Sequence, residues 1–263
     1  MKFRYFFPIL ICLLIIFNSA HSQQNTLFSK EIFYSQKGDS LLYRFLIPQN
    51  ISANDSNTKY PLVVFLHGAG ERGNDNVKQL IHGASLFSKP ESLKNYPCYF
   101  IAPQCPIDKR WVEVDWKLQF HSMPEQISEN LGFTVQLIDS LIKNYPIDIN
   151  RIYVTGLSMG GFGTWDIICR FPDKFAAAAP ICGGGDENLA EKINKIPIWA
   201  FHGSNDKLVT VYRSRNMINA LKKTGGKPKY TEYPGVGHFS WEKAYSEPDF
   251  LKWMFSQSKI IKN

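Results

Sequence analysis

The sequence is short of cysteine, with five among 263 residues. One of them, Cys12, lies in an apolar leader, and Cys98, Cys105, Cys169 and Cys182 have no metal-ligand spacing. A small disulfide-built scaffold and a cysteine zinc site are both excluded. There is no H-E-x-x-H pair, no phosphate-binding P-loop and no glycine-rich dinucleotide fingerprint. Nothing in these motifs calls for a metal or an organic cofactor. The net charge is +7, but its lysines are scattered in twos, as at Lys222 and Lys223, with no dense basic run among aromatics. Nucleic acid is not an expected partner. No internal repeat, low-complexity tract or linker divides the chain, and its length suits one domain with a sizeable core.

What is present begins with an apparent export signal. Lys2 and Arg4 precede an apolar run over residues 6–17, and Ala20-His21-Ser22 supplies small residues for cleavage. The run is shorter than the roughly 20 residues that cross a bilayer. Residues 1–22 are expected to be removed, leaving residues 23–263 as a secreted or periplasmic domain with no membrane span. Export permits disulfides, and Cys98 with Cys105 is the one pair worth considering. Cys169 and Cys182 lie in apolar contexts that suit free buried thiols.

Hydrophobic patterning then alternates between strand and helix. Residues 31–35 and 41–47 read as a hairpin around Lys37-Gly38-Asp39. Residues 61–66, 99–102, 151–155, 176–182 and 198–202 are continuous apolar runs, as in strands buried on both faces. Residues 229–233 read as a last strand. Between them, residues 127–145 carry Ile127, Leu131, Val135, Ile138 and Leu141 on one helical face. Further helices are expected over residues 159–170, 190–195, 212–223 and 250–257. This order predicts an α/β fold: a mostly parallel sheet, an antiparallel hairpin at its start, and helices on both faces. Residues 103–125 form a long irregular stretch of the kind that builds binding sites.

The chemistry centres on Gly156-Leu-Ser158-Met-Gly160-Gly161, a G-x-S-x-G placed after a strand and before a helix. Such a turn lifts the serine hydroxyl clear of the sheet and sets helix N–H groups beside a developing oxyanion. A serine is inert at neutral pH without a base. The expected base is His238, in the glycine-flanked loop Gly235-Val-Gly237-His238, after the last strand. The other downstream histidine, His202, ends a buried strand and suits a structural role. Asp206, just past that strand, is the expected acid, preferred to Asp173 at a helix end and Asp186 after a glycine run. The expected oxyanion donors are the backbone N–H groups of Met159 and Ala69, the latter in His67-Gly-Ala69-Gly-Glu71-Arg72-Gly73. His67 is expected to brace this loop. Arg72 either pairs with Glu71 or reaches the substrate. Trp111 and Trp241 are candidate substrate contacts, although core packing is the ordinary use of such residues.

These segments, with Ala102-Pro-Gln-Cys105-Pro and His202-Gly-Ser-Asn-Asp206, resemble the α/β-hydrolase esterases over almost the whole chain after the leader. They are most similar to secreted bacterial carboxylesterases of the "predicted peptidase" group, related to polyhydroxybutyrate-depolymerase-like and feruloyl or acetylxylan esterases. The resemblance implies a Ser158, Asp206 and His238 triad, Ala69 and Met159 as oxyanion donors, and no cofactor. It implies a small-molecule or polysaccharide-linked ester as substrate. A peptidase of the prolyl-oligopeptidase type and a non-catalytic binder are the alternatives. The first ordinarily carries a substrate-filtering domain for which this chain has no room. The second does not account for a complete set of catalytic residues.

Overall fold

The computed structural model describes residues 27–35, 37–49 and 58–259. The expected signal and its cleavage point lie outside the described residues. Eight strands form one sheet in the order β1-β2-β4-β3-β5-β6-β7-β8. They are β1 (Ser29–Tyr34), β2 (Ser40–Leu46), β3 (Tyr60–Leu66), β4 (Tyr99–Pro103), β5 (Ile147–Leu157), β6 (Ala177–Ile181), β7 (Trp199–Gly203) and β8 (Lys229–Tyr233). β1 and β2 pair antiparallel, as do β2 and β4; the other neighbours run parallel. The helices are α1 (Pro90–Asn95), α2 (Glu129–Asn144), α3 (Met159–Arg170), α4 (Ala190–Ile193), α5 (Tyr212–Lys223), α6 (Trp241–Ala244) and α7 (Phe250–Phe255).

The alternation of side chains along β3 splits the core into two layers. Leu62, Val64 and Leu66 join α2, α3 and α5 on one face, whereas Val63 and Phe65 join α6 and α7 on the other. Complete burial of a side chain such as Phe65 is worth about 1.5–3 kcal/mol, which sets the register of the central strands. Ser128 caps α2 by accepting the N–H of Leu131, so that helix starts two residues later than the apolar pattern suggests. β5 begins before the expected apolar run: Ile147 already pairs with Tyr60, and residues 148–151 lie beyond the two-sided core, half-buried or, at Ile149, exposed. α1 and α6, of six and four residues, were not among the expected helices.

All four described cysteines are free and buried, so the pairing of Cys98 with Cys105 does not form. β4 separates the two: Cys98 packs in one layer of the core and Cys105 in the other. Burial pushes the thiols of Cys98, Cys105 and Cys169 up to about 12, leaving them unreactive. Alkylation followed by peptide mapping should therefore modify none of these four thiols in the folded protein. After denaturation without reductant it should modify all of them, and a disulfide-linked peptide would contradict the layered core.

Candidate active site

The parallel strands end along one edge of the sheet, and the loops that leave this edge carry the expected site residues. β5 ends at Leu157, and Ser158 turns straight into α3 with φ 53° and ψ −116°. Such a backbone is strained for a non-glycine residue and is held only by its surroundings. Close packing supplies the restraint. A Cβ at residue 160 would stand 1.8 Å from the carbonyl oxygen of Leu66, and one at residue 156 would stand 2.5 Å from that of Gly160. The backbone N–H of Ser158 donates to Ile181 on β6 at 2.9 Å. The turn is thus wedged between the ends of β3 and β6.

The hydroxyl Oγ of Ser158 lies 2.8 Å from Nε2 of His238, and Nδ1 of His238 lies 2.7 Å from Oδ2 of Asp206. Because the carboxylate only accepts, Nδ1 carries the proton and Nε2 is left to accept from the hydroxyl. Asp206 is 7% exposed. Its Oδ1 accepts the N–H groups of Leu208 and Val209, each at 2.9 Å. Burial opposes its charge, but hydrogen bonds from His202, His238 and Val209 outweigh that and hold the carboxyl well below its usual range. His202 is wholly buried, with Nε2 3.2 Å from Oδ2 of Asp206 and Nδ1 2.7 Å from Oγ of Ser214.

Met159 is the first residue of α3, and Ala69 is the first residue of a single 3-10 turn, Ala69–Glu71. The N–H groups at such positions have no partner within their helix. The loop bearing Ala69 is braced from below. His67 accepts the N–H of Cys105 at Nε2 (2.9 Å) and donates from Nδ1 to the carbonyl of Gly68 (2.6 Å). Gln104 donates to the carbonyl of Glu71 at 3.2 Å and accepts the N–H of Asn76 at 2.7 Å. Sequence reasoning did not single out Gln104 or Asn76; the glutamine lies in the Ala102-Pro-Gln-Cys105 segment, whose role there was only resemblance.

The three candidate substrate contacts behave differently from one another. Trp111 has no exposed surface, and its Nε1 donates to the carbonyl of His67 at 3.0 Å. It supports the Ala69 loop from inside the core and cannot meet a substrate. Trp241 is 5% exposed and stands edge-on to the His238 ring at 5.4 Å and 89°. It backs the imidazole. Arg72 donates to the carbonyls of Ala69 (2.9 Å) and Lys109 (3.4 Å), joining two loops rather than pairing with Glu71, whose carboxylate lies 3.7 Å from Nε2 of His82. Among the described residues, the atoms best spaced to ligate a metal are those of Cys182, Asp206 and His238, all within 4.8 Å of one another. That carboxylate and imidazole already bond to each other, and burial raises the Cys182 thiol far from the thiolate a metal needs.

A parallel sheet of this order, opened by an antiparallel hairpin and carrying its convergent loops at one edge, is the α/β-hydrolase architecture. Within that class the chain belongs to the Phospholipase/Carboxylesterase family (Abhydrolase_2), whose model matches residues 49–247. The crystal structure of a thermostable esterase is 40% identical with a TM-score of 0.83, covering 90% of this chain and 64% of that one. An uncharacterized secreted protein of Arthroderma benhamiae is 27% identical over 238 residues, 78% of this chain, and the chain spans only 24% of its length. Feruloyl esterase D of Neurospora crassa is 24% identical over 210 residues, 79% of this chain and 68% of that protein.

Two imidazoles, one buried and one half-buried, give the molecule a pH signature. Burial lowers His67 to about 4, and burial with the charge of Arg213 does the same to His121. Between that value and the ordinary 6.5 the unfolded chain holds more protons than the folded one. Their stabilisation is complete above 6.5 and is lost as pH falls toward 4. Asp206, also lowered, keeps its contribution throughout that window and loses it only in stronger acid. The melting temperature should fall steadily from pH 7 to pH 4.5, whereas a flat profile would mean that these rings are not held neutral.

Proposed function

We propose that this protein is an exported serine esterase that hydrolyses carboxylic esters through an acyl-enzyme. Its substrates are small acyl esters or the acetyl and feruloyl decorations of polysaccharide. The observation that carries the reading is the unbroken hydrogen-bonded chain from the Ser158 hydroxyl through His238 to Asp206. Membership of a carboxylesterase family and the 40% identity to a thermostable esterase support it. Similarity to a feruloyl esterase and to a bifunctional acetylxylan esterase/xylanase supports the choice of ester.

In the proposed cycle, His238 takes the proton of Ser158 as Oγ attacks the ester carbonyl. The N–H groups of Ala69 and Met159 hold the oxyanion. Asp206 keeps the imidazole in the productive tautomer and stabilises the imidazolium, without itself taking the proton. The imidazolium protonates the departing alcohol. Water, deprotonated by the same ring, then attacks the acyl-enzyme and frees the acid. The expected leader at residues 1–22 fits a protein that meets such esters outside the cytoplasm.

Ser158→Ala should lower hydrolysis of nitrophenyl esters by about 10⁴-fold or more and abolish labelling by a fluorophosphonate probe. Asp206→Asn should cost about 10⁴-fold in kcat while leaving the fold intact. Near-native turnover in either variant would remove that residue from the mechanism. Faster cleavage of peptide anilides than of nitrophenyl esters would favour a peptidase instead.

A further inference from the structure

Several of the exposed large apolar side chains of the described residues lie on loops that leave the carboxyl edge of the sheet. Phe239, next to His238, is 68% exposed; Leu208, two residues after Asp206, is 63% exposed. On the loop between β4 and α2, Leu118 is 54% and Phe120 is 69% exposed. A segment with two such residues would ordinarily turn them inward, since burying them is favourable.

This segment cannot turn, because its backbone is stitched down on both sides. Arg213, at the start of α5, donates from Nη2 to the carbonyl of Asp115 (2.7 Å) and from Nη1 to Nδ1 of His121 (2.6 Å). Asn216 donates to the carbonyl of Gln119 at 3.4 Å, and Oδ2 of Asp186 accepts the N–H of Met123 at 2.9 Å. Arg213 has no exposed surface, its Nε has no partner, and no carboxylate forms an ion pair with it among the described residues. A guanidinium buried on those terms is costly. Its stem packs against Gly184, where a Cβ would stand 2.8 Å from Cδ, so nothing larger fits between it and β6's loop.

The stitched segment stands beside the Ser158 turn. The Phe162 ring lies 5.1 Å from the Arg213 guanidinium and 5.9 Å from the His121 ring, and the Phe162 N–H donates to the carbonyl of Ser158 at 3.1 Å. His121 and the Arg213 guanidinium are thereby set against the ring of a residue one helical turn after Ser158.

From this geometry we infer that Leu118, Phe120, Leu208 and Phe239 grip a bulky apolar or aromatic group of the ester. Arg213 is the positioning residue that holds the first two outward. The inference rests on the esterase reading and names its substrate class: esters with an extended aliphatic or aryl acyl group rather than acetyl alone. A guanidinium is needed rather than an ammonium, because one planar fork reaches the Asp115 carbonyl and the His121 ring at once.

The test is the ratio of kcat/KM for p-nitrophenyl hexanoate to that for p-nitrophenyl acetate. Phe120→Ala should lower this ratio about tenfold through KM for the hexanoate, consistent with loss of part of an aromatic contact. Arg213→Lys should lower it in the same direction, while Ile149→Ala, on the far edge of the sheet, should leave it unchanged. Phe120 is on the surface, so its variant folds even if the Arg213 variant does not. A ratio within twofold of wild type in Phe120→Ala would overturn the inference, and so would an equal fall for both esters. Wild-type protein that cleaves neither ester would sink the esterase reading itself, a result distinct from an unchanged ratio.

Discussion

The carbonyl oxygen of Leu66 sits where a side chain on residue 160 would have to begin, and the geometry of the whole site descends from that contact. It lets the start of α3 approach the end of β3 at backbone distance. The approach accompanies the left-handed turn at Ser158 and brings the strand end leading into the Ala69 loop close to α3, with the carbonyl of His67 2.8 Å from where a Cβ of residue 160 would stand. The proposed nucleophile and the proposed oxyanion donors are thus fixed relative to one another by main chain rather than by adjustable side chains. That is the kind of preorganisation that makes electrostatic stabilisation effective, since nothing has to move when charge appears.

The second fixed quantity is the charge on Asp206. A carboxylate this enclosed would ordinarily favour protonation, and four donors prevent it: two backbone N–H groups and the rings of His202 and His238. His202 is orientated in turn by Ser214, so α5 contributes to the electrostatics of the site without reaching its surface. Trp241 performs the mechanical counterpart, its ring edge-on to His238. Surrounding layers of this kind hold a hydrogen-bonded chain at its working distances.

The central strands were legible because they are buried on both faces and therefore continuous in apolar residues. Ser158, Asp206 and His238 could be named because each follows a strand in the order this architecture imposes. What could not be read was direction. Trp111 and Trp241 are alike as sequence, yet one braces the loop of Ala69 from the core and the other backs the His238 ring. Arg72 and Glu71 are neighbours in the chain, but the turn Ala69–Glu71 sends them to different partners. Arg213 looks like any charged residue in an amphipathic helix, and only the fold reveals that it points inward. The excluded Cys98–Cys105 bridge has the same origin: seven positions apart, with a sheet strand between them.

Three of the four ties on residues 115–123 engage main-chain atoms, namely the carbonyls of Asp115 and Gln119 and the N–H of Met123. Of these four hydrogen bonds, only the one to His121 is made to a side chain of the segment. Anchors of that type are indifferent to the amino acid they hold. The crest of the segment is consequently a place where residues can be exchanged wholesale while the scaffold beneath keeps its shape, a natural cassette for retargeting the molecule by diversification or by directed evolution.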